Sequence, residues 1–171
     1  MGKPVFLIGY MGSGKSTVGK KLARSLGYEF IDSDSVISEM LGKEVDRIFA
    51  EDGEDAFRQL EHSVLISLRD RKDTVIATGG GMPCYFDNMA VMKRTGITVY
   101  LQMQVESLIK RLNQAKVARP MLPNLPHDQL KLYIQQHLAK RTPFYANAHL
   151  TVKGESLDLD ALVKSIKSYR L

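Results

Sequence analysis

Apolar positions come in short runs and in helical stripes, and the two alternate. Val5-Phe6-Leu7-Ile8 is a continuous apolar run ending at Gly9, which predicts a strand buried on both faces. Val18, Leu22 and Leu26 then recur every four residues and stop at Gly27, where a helix C-cap would sit. Tyr28 to Ile31 predicts a second strand. Val36, Ile37, Met40 and Leu41 mark a short helix stopped at Gly42, and Phe57, Leu60, Val64 and Leu68 give a longer stripe. Thr74 to Thr78 and Ile97 to Leu101 read as strands three and four, followed by a helix at Val105, Leu108, Ile109 and Leu112. Pro120, Pro123 and Pro126 break any helix and define a loop long enough to move. Leu130, Ile134 and Leu138 start another helix, which Pro143 is expected to interrupt. His149 to Val152 closes the strands and Leu159 to Tyr169 the helices. Strands alternating with helices predict an α/β fold, a parallel sheet covered on both faces, in a single domain over 1–171.

The first strand-to-helix turn carries chemistry. Gly9-Tyr10-Met11-Gly12-Ser13-Gly14-Lys15-Ser16 fits the P-loop pattern at every fixed position. Glycines let the backbone approach a phosphate, and successive N–H groups then point at the anion from a helix N-terminus. Lys15 would reach the β and γ phosphates of ATP, and Ser16 would offer a hydroxyl to Mg²⁺. Gly12, Ser13, Gly14, Lys15, Ser16 and Thr17 are therefore the candidate nucleotide-binding residues. A P-loop names a nucleotide and not an acceptor. The Asn-Lys-x-Asp guanine-reading motif of small GTPases is absent, and the chain is short for a motor or transporter ATPase.

Composition narrows the class. The chain has 171 residues, 44% hydrophobic and 25% charged, which suits one globular domain able to bury its own core. Its net charge of +5 comes without a basic run or interleaved aromatics, so nucleic acid is not expected, and a basic balance suits anionic ligands. Cys84 is the only cysteine, which fits a reducing compartment; cytoplasmic is the expectation. No uncharged apolar run has the length of a membrane span, and no small-residue cleavage site follows the apolar stretch Pro4 to Met11.

The acceptor side is open to two readings at each residue. Asp32 and Asp34 close the second strand, where ligands of α/β sheets bind. Asp34 either N-caps the next helix or accepts a hydroxyl proton. Arg58 and Glu61, three apart on a helix, form either a surface ion pair or a guanidinium steered onto a carboxylate. Gly79-Gly80-Gly81 follows the third strand and suits a backbone that approaches a ligand closely. Arg119 and Arg141 are either solvated arginines or anion contacts. His62, His127, His137, His149 and Cys84 lack metal-ligand spacing and read as non-catalytic.

In order, these segments resemble shikimate kinase over nearly the whole chain. The resemblance rests on the P-loop, Ile31-Asp32-Ser33-Asp34, Phe57-Arg58-Gln59-Leu60-Glu61, Thr78-Gly79-Gly80-Gly81, Arg119-Pro120, and Arg141 four residues before Tyr145. It implies a nucleoside-monophosphate-kinase-like, three-layer α/β/α fold with a five-stranded parallel sheet in the order 2-3-1-4-5. It implies a monomeric enzyme that transfers the ATP γ-phosphoryl group to the 3-hydroxyl of shikimate with Mg²⁺. It further implies a mobile lid around 112–126 and a substrate-binding helical segment around 33–61. By position, Arg58, Arg141 and Gly79, Gly80 and Gly81 would hold the shikimate carboxylate. Asp34 would bind ring hydroxyls as candidate base, Asp32 would sit near Mg²⁺ with Ser16, and Arg119 would close over the phosphates. Arg111 resembles the arginine that stacks on adenine. Another kinase of the same fold, such as a gluconate or nucleoside monophosphate kinase, is the nearest rival. A non-catalytic nucleotide-binding regulator is the rival of another class.

Overall fold

A computed structural model describes residues 2–114 and 122–169. Five parallel strands, β1 (Val5–Ile8), β2 (Glu29–Asp32), β3 (Thr74–Ala77), β4 (Ile97–Gln102) and β5 (Leu150–Lys153), form one sheet in the order β2-β3-β1-β4-β5. The helices described are α1 (Lys15–Leu26), α2 (Ser33–Leu41), α3 (Val45–Leu68), α4 (Asn88–Thr95), α5 (Val105–Gln114), α6 (His127–Tyr145) and α7 (Leu159–Ser168).

Strand periodicity sorts the core into two layers. From β1, Val5 and Leu7 pack with Leu22, Val75, Val99, Leu162 and Ile166 under α1 and α7. Phe6 and Ile8 point the other way, into the larger cluster with Ile37, Val64, Met92, Leu108 and Ile134. All four residues of β1 are fully buried, as its unbroken apolar run requires. β1 lies between β3 and β4, so the connections run to opposite sides from it. The crevice at the carboxyl end of β1 is therefore the topological switch point, where such sheets bind ligands.

Several expected boundaries move. β2 spans Glu29–Asp32 rather than Tyr28 to Ile31, because its register pairs Asp32 with Ala77. The third and fifth strands shift by about a residue, as their bounds above show. The last helix stops at Ser168, before Tyr169. Pro143 does not interrupt α6, which runs on to Tyr145. A proline this close to the end removes one N–H from the last turns, and Thr142 Oγ1 still bonds the Leu138 carbonyl at 2.8 Å. The stripe at Phe57 to Leu68 belongs to a longer helix that begins at Val45 and kinks at Gly53, whose φ of 82° and ψ of 172° no helix contains. α4 was not anticipated, although Met89, Val91 and Met92 supply its buried face. Residues 112–114 of the expected lid form the end of α5, and 115–121, with Arg119, lie outside the described residues.

Candidate active site

The P-loop takes the conformation that its glycines permit. Gly9, Gly12 and Gly14 have φ of 150°, 80° and 91°, and Gly14 caps α1 in the left-handed region. Lys15 is buried and arches back over the loop, donating to the carbonyls of Gly9 at 2.8 Å and Tyr10 at 2.9 Å. Gly12, Gly14, Lys15, Ser16 and Thr17 line a cleft of about 390 Å³ together with Asp32, Asp34 and Arg111. Ser13 is buried behind this loop. The Arg111 guanidinium lies against Gly14, 2.6 Å from where a Cβ there would stand. α5 thus delivers Arg111 to the mouth of the cradle.

The two aspartates at the end of β2 divide their roles. Asp32, not Asp34, is the N-cap of α2: its Oδ1 accepts from the N–H groups of Asp34 at 3.0 Å and Ser35 at 3.4 Å. Its Oδ2 accepts from Ser16 Oγ at 2.6 Å. A hydroxyl and a carboxylate side by side at the phosphate cradle fit Mg²⁺, which keeps most of its waters and takes one or two protein oxygens. Among the described residues no cluster of three or more His, Cys, Asp or Glu side chains offers an all-protein cage. Asp34, one residue inside the helix, borders the cleft on one side and a second, smaller cavity on the other.

That second cavity, of about 90 Å³, joins Asp34, Arg58, Glu61, Gly79, Gly80, Gly81 and Arg141. The Arg58–Glu61 pair is not the surface ion pair that its spacing allowed. Arg58 is 2% exposed and Glu61 1%, with Nη1 donating to Oε2 at 2.7 Å. Arg58 also donates from Nε and Nη2 to Glu54 Oε1 at 3.3 and 3.0 Å, and its guanidinium stacks 4.3 Å from the Tyr85 ring centroid. Burial pushes Glu61 up to about 7 against the pull of Arg58. Burial also pushes Glu54 upward, but the Tyr85 hydroxyl and Arg58 outweigh it and hold that carboxyl below its usual range. Arg141 is 4% exposed, sits over the Tyr10 ring, and has no hydrogen-bond acceptor at Nη1 among the described residues. A buried cation so placed suits a ligand carboxylate.

The glycine triplet makes room for these charges. A Cβ on Gly81 would collide with the Arg58 guanidinium, and one on Gly79 would collide with Glu61 and stand 2.9 Å from Asp34 Oδ1. Gly80 has Arg141 Nη1 3.3 Å from its Cβ position. The Gly79 N–H is fixed by Ser33 Oγ at 3.0 Å, and the Gly80 carbonyl by the Tyr145 hydroxyl at 2.6 Å. Gly81→Ala is therefore expected to displace Arg58 and raise the KM of a carboxylate ligand at least about tenfold, with the KM of a nucleotide at the phosphate loop within about twofold. Steady-state kinetics against both substrates, with circular dichroism as the fold control, measures this.

Glu54, Tyr145, Ser33 and the Tyr10–His137 pair escaped the sequence reading as functional residues. Tyr10, Ser33 and Tyr145 stood there only as members of motifs, and Glu54 could have been found from its place four residues before Arg58. His62 and His149 bond Asn88 Oδ1 at 2.6 Å and the Thr98 N–H at 3.2 Å, so both serve packing. Burial pushes the Cys84 thiol up to about 11, which leaves it unreactive.

With this geometry in hand, the sequence profile described as shikimate kinase matches residues 11–169. A shikimate kinase from Parabacteroides distasonis is 46% identical over 166 residues, covering 97% of this chain and 96% of that protein. The crystal structure of shikimate kinase from Bacteroides thetaiotaomicron superposes with a TM-score of 0.88 at 41% identity, covering 96% of each chain. Shikimate kinase from Acinetobacter baumannii in complex with shikimate superposes at 0.87 and 36% identity, covering 98% of this chain and 92% of that one. A gluconokinase from Sinorhizobium meliloti reaches only 0.58 at 16% identity, which is a likeness of fold alone. The chain belongs to the shikimate kinase family.

Proposed function

We propose that this protein transfers the γ-phosphoryl group of ATP to the 3-hydroxyl of shikimate, giving shikimate 3-phosphate and ADP. The observation that carries the reading is that Asp34, Met11 and Gly80 border both the phosphate cleft and the arginine-headed acid pocket. Donor and acceptor sites thus share a wall, as in-line transfer needs. Family membership and the relative in complex with shikimate support the acceptor's identity.

In this reading Arg58 and Arg141 grip the carboxylate, with Gly79, Gly80 and Gly81 framing it, and the ring hydroxyls face Asp34. The acceptor oxygen bonds the γ-phosphorus as the bridge to the β-phosphate breaks, and the hydroxyl proton passes to Asp34. Lys15 offsets charge on the transferring group, and Gly12, Ser13, Gly14 and Thr17 present the cradle. Ser16 and Asp32 would hold Mg²⁺, which would supply positive charge against the phosphates. Arg111 flanks the nucleotide. Arg119, whose expected partners are the phosphates, lies outside the described residues, and the segment 33–61 forms the substrate wall. The protein acts as a cytoplasmic monomer. Among the described residues no helix is long and apolar enough to cross a membrane.

An ADP-release assay with shikimate, gluconate and several nucleoside monophosphates tests the reading. Turnover with shikimate at least ~100-fold above the others in kcat/KM is expected; faster turnover of gluconate or a monophosphate overturns it. The arginine clamp makes a sharper prediction. Arg58→Lys keeps the charge but loses the fork that engages Glu54, Glu61 and a ligand together. The shikimate KM should rise by about 30-fold or more, with the ATP KM nearly unchanged. A carboxamide analogue of shikimate should bind wild type poorly and lose most of that disadvantage in Arg58→Ala. Additive effects of the enzyme and ligand changes, within about 0.5 kcal/mol, would remove Arg58 from the clamp.

A further inference from the structure

Tyr10 occupies the second position of the phosphate loop and touches both halves of the site. Its carbonyl accepts from Lys15 Nζ at 2.9 Å. Its ring lies 5.6 Å from the Arg141 guanidinium, centroid to Cζ. Its hydroxyl meets His137 Nδ1 at 2.9 Å, across 127 residues of sequence. His137 stands one helical turn before Arg141 on α6, edge-on to the Tyr10 ring at 5.5 Å and against Tyr133 at 5.5 Å. Tyr10 is 1% exposed, while His137 is half-buried and lines a neighbouring cavity.

Burial and the charges nearby together leave both partners of this hydrogen bond neutral. Burial, with Arg141 and Arg58 adding repulsion, lowers His137 to about 4, so its ring is neutral at neutral pH. Burial raises the Tyr10 phenol well above its ordinary value, so it keeps its proton. The Tyr10 hydroxyl and His137 Nδ1 therefore share a hydrogen bond between two neutral groups, its direction set by the imidazole tautomer. Arg141 forms no ion pair among the described residues. Its place is set by packing over Tyr10, by the Tyr145 hydroxyl beside it, and by α6, which Tyr145 and His137 both help to anchor.

We infer that Tyr10 and His137 are positioning residues whose hydrogen bond couples the phosphate cradle to the acid pocket. A phosphate in the cradle competes for the Lys15 ammonium that now bonds the Tyr10 carbonyl. A carboxylate on Arg141 loads the helix that the Tyr10 hydroxyl holds. Each ligand thus fixes one end of the same residue, and the second to bind meets a loop and a helix already in register. Nucleotide and acid should bind more tightly together than apart, and reciprocity requires the same factor in both directions. This inference rests on the proposed shikimate kinase activity.

Tyr10→Phe removes one oxygen and keeps the ring beneath Arg141. His137→Leu removes the hydrogen-bonding partner, and His137→Gln retains one. Calorimetric titration would give the Kd of the β,γ-imido analogue of ATP with Mg²⁺, with and without saturating shikimate, in wild type and each variant. The wild-type Kd should fall about fivefold or more when shikimate is present. In Tyr10→Phe and His137→Leu that ratio should collapse to within about twofold of unity, while the Kd of shikimate alone shifts by less than about threefold. The double variant should be no worse than either single one, because both break the same bond. His137→Gln should restore most of the ratio. An undiminished ratio in Tyr10→Phe, a ratio of one in wild type, or additive losses in the double variant would overturn the coupling and leave the kinase reading intact. Failure of wild type to bind shikimate at all would overturn both.

Discussion

Lys15→Met should bring turnover close to zero, a fall of about 10³-fold or more in kcat, without loss of the fold. Methionine nearly matches lysine in length and fits a buried position, but it brings no charge and no donor. Lys15 is the cation of the phosphate loop, held by the Gly9 and Tyr10 carbonyls at a position already buried. The transferring phosphoryl group carries its charge on its outer oxygens, and positioning plus neutralisation is nearly all that the protein contributes to such a reaction. The measurement is single-turnover ADP formation, beside far-UV circular dichroism and a thermal melt. A variant with near-normal kcat and a normal spectrum would take Lys15 out of the mechanism.

Asp34→Asn should lose roughly 10²- to 10⁴-fold in kcat, the range for removal of a general base, with ATP affinity retained. The helix cap belongs to Asp32, so a change at Asp34 leaves the bonds that start α2 in place. Lost activity cannot then be ascribed to a frayed helix, and the melting temperature should confirm it. Asparagine keeps the shape and one acceptor oxygen but cannot take a proton from the acceptor hydroxyl. Activity within about threefold of wild type would mean that the hydroxyl proton leaves by another route, such as the phosphate oxygens themselves.

What the chain disclosed before folding depended on whether a feature is local. The phosphate loop was legible because each of its positions is fixed by backbone geometry within eight residues, from Gly9 to Ser16. The layered parallel sheet was legible from unbroken apolar strands such as Val5–Ile8. α4 was hidden because its apolar positions, Met89, Val91 and Met92, span barely one turn. Arg58 and Glu61 show the limit most clearly. Their spacing is the same for a solvated pair and a buried one, and only tertiary packing against Phe57, Tyr85 and the glycine triplet decides between them. The Tyr10–His137 bond joins residues 127 apart, and no local pattern announces it. Whether Asp34 capped the helix stayed open in the sequence, because either aspartate could start α2 until the exit of β2 placed Asp32 at the cap.

The triplet of Gly79, Gly80 and Gly81 also bears on how this pocket could escape an inhibitor. Any codon change that replaces a glycine with another residue adds at least a methyl group. At Gly79 and Gly81 that methyl would fall on Glu61 and on the Arg58 guanidinium. Resistance by mutation there would damage the grip on the natural acid as surely as on its mimic. Tolerated escape would have to come from walls that can be reshaped without touching a charge, such as Val45, Phe49 or Met11. A compound that draws its affinity from the carboxylate clamp and the glycine backbone, and little from those three side chains, would leave the enzyme few single steps by which to evade it.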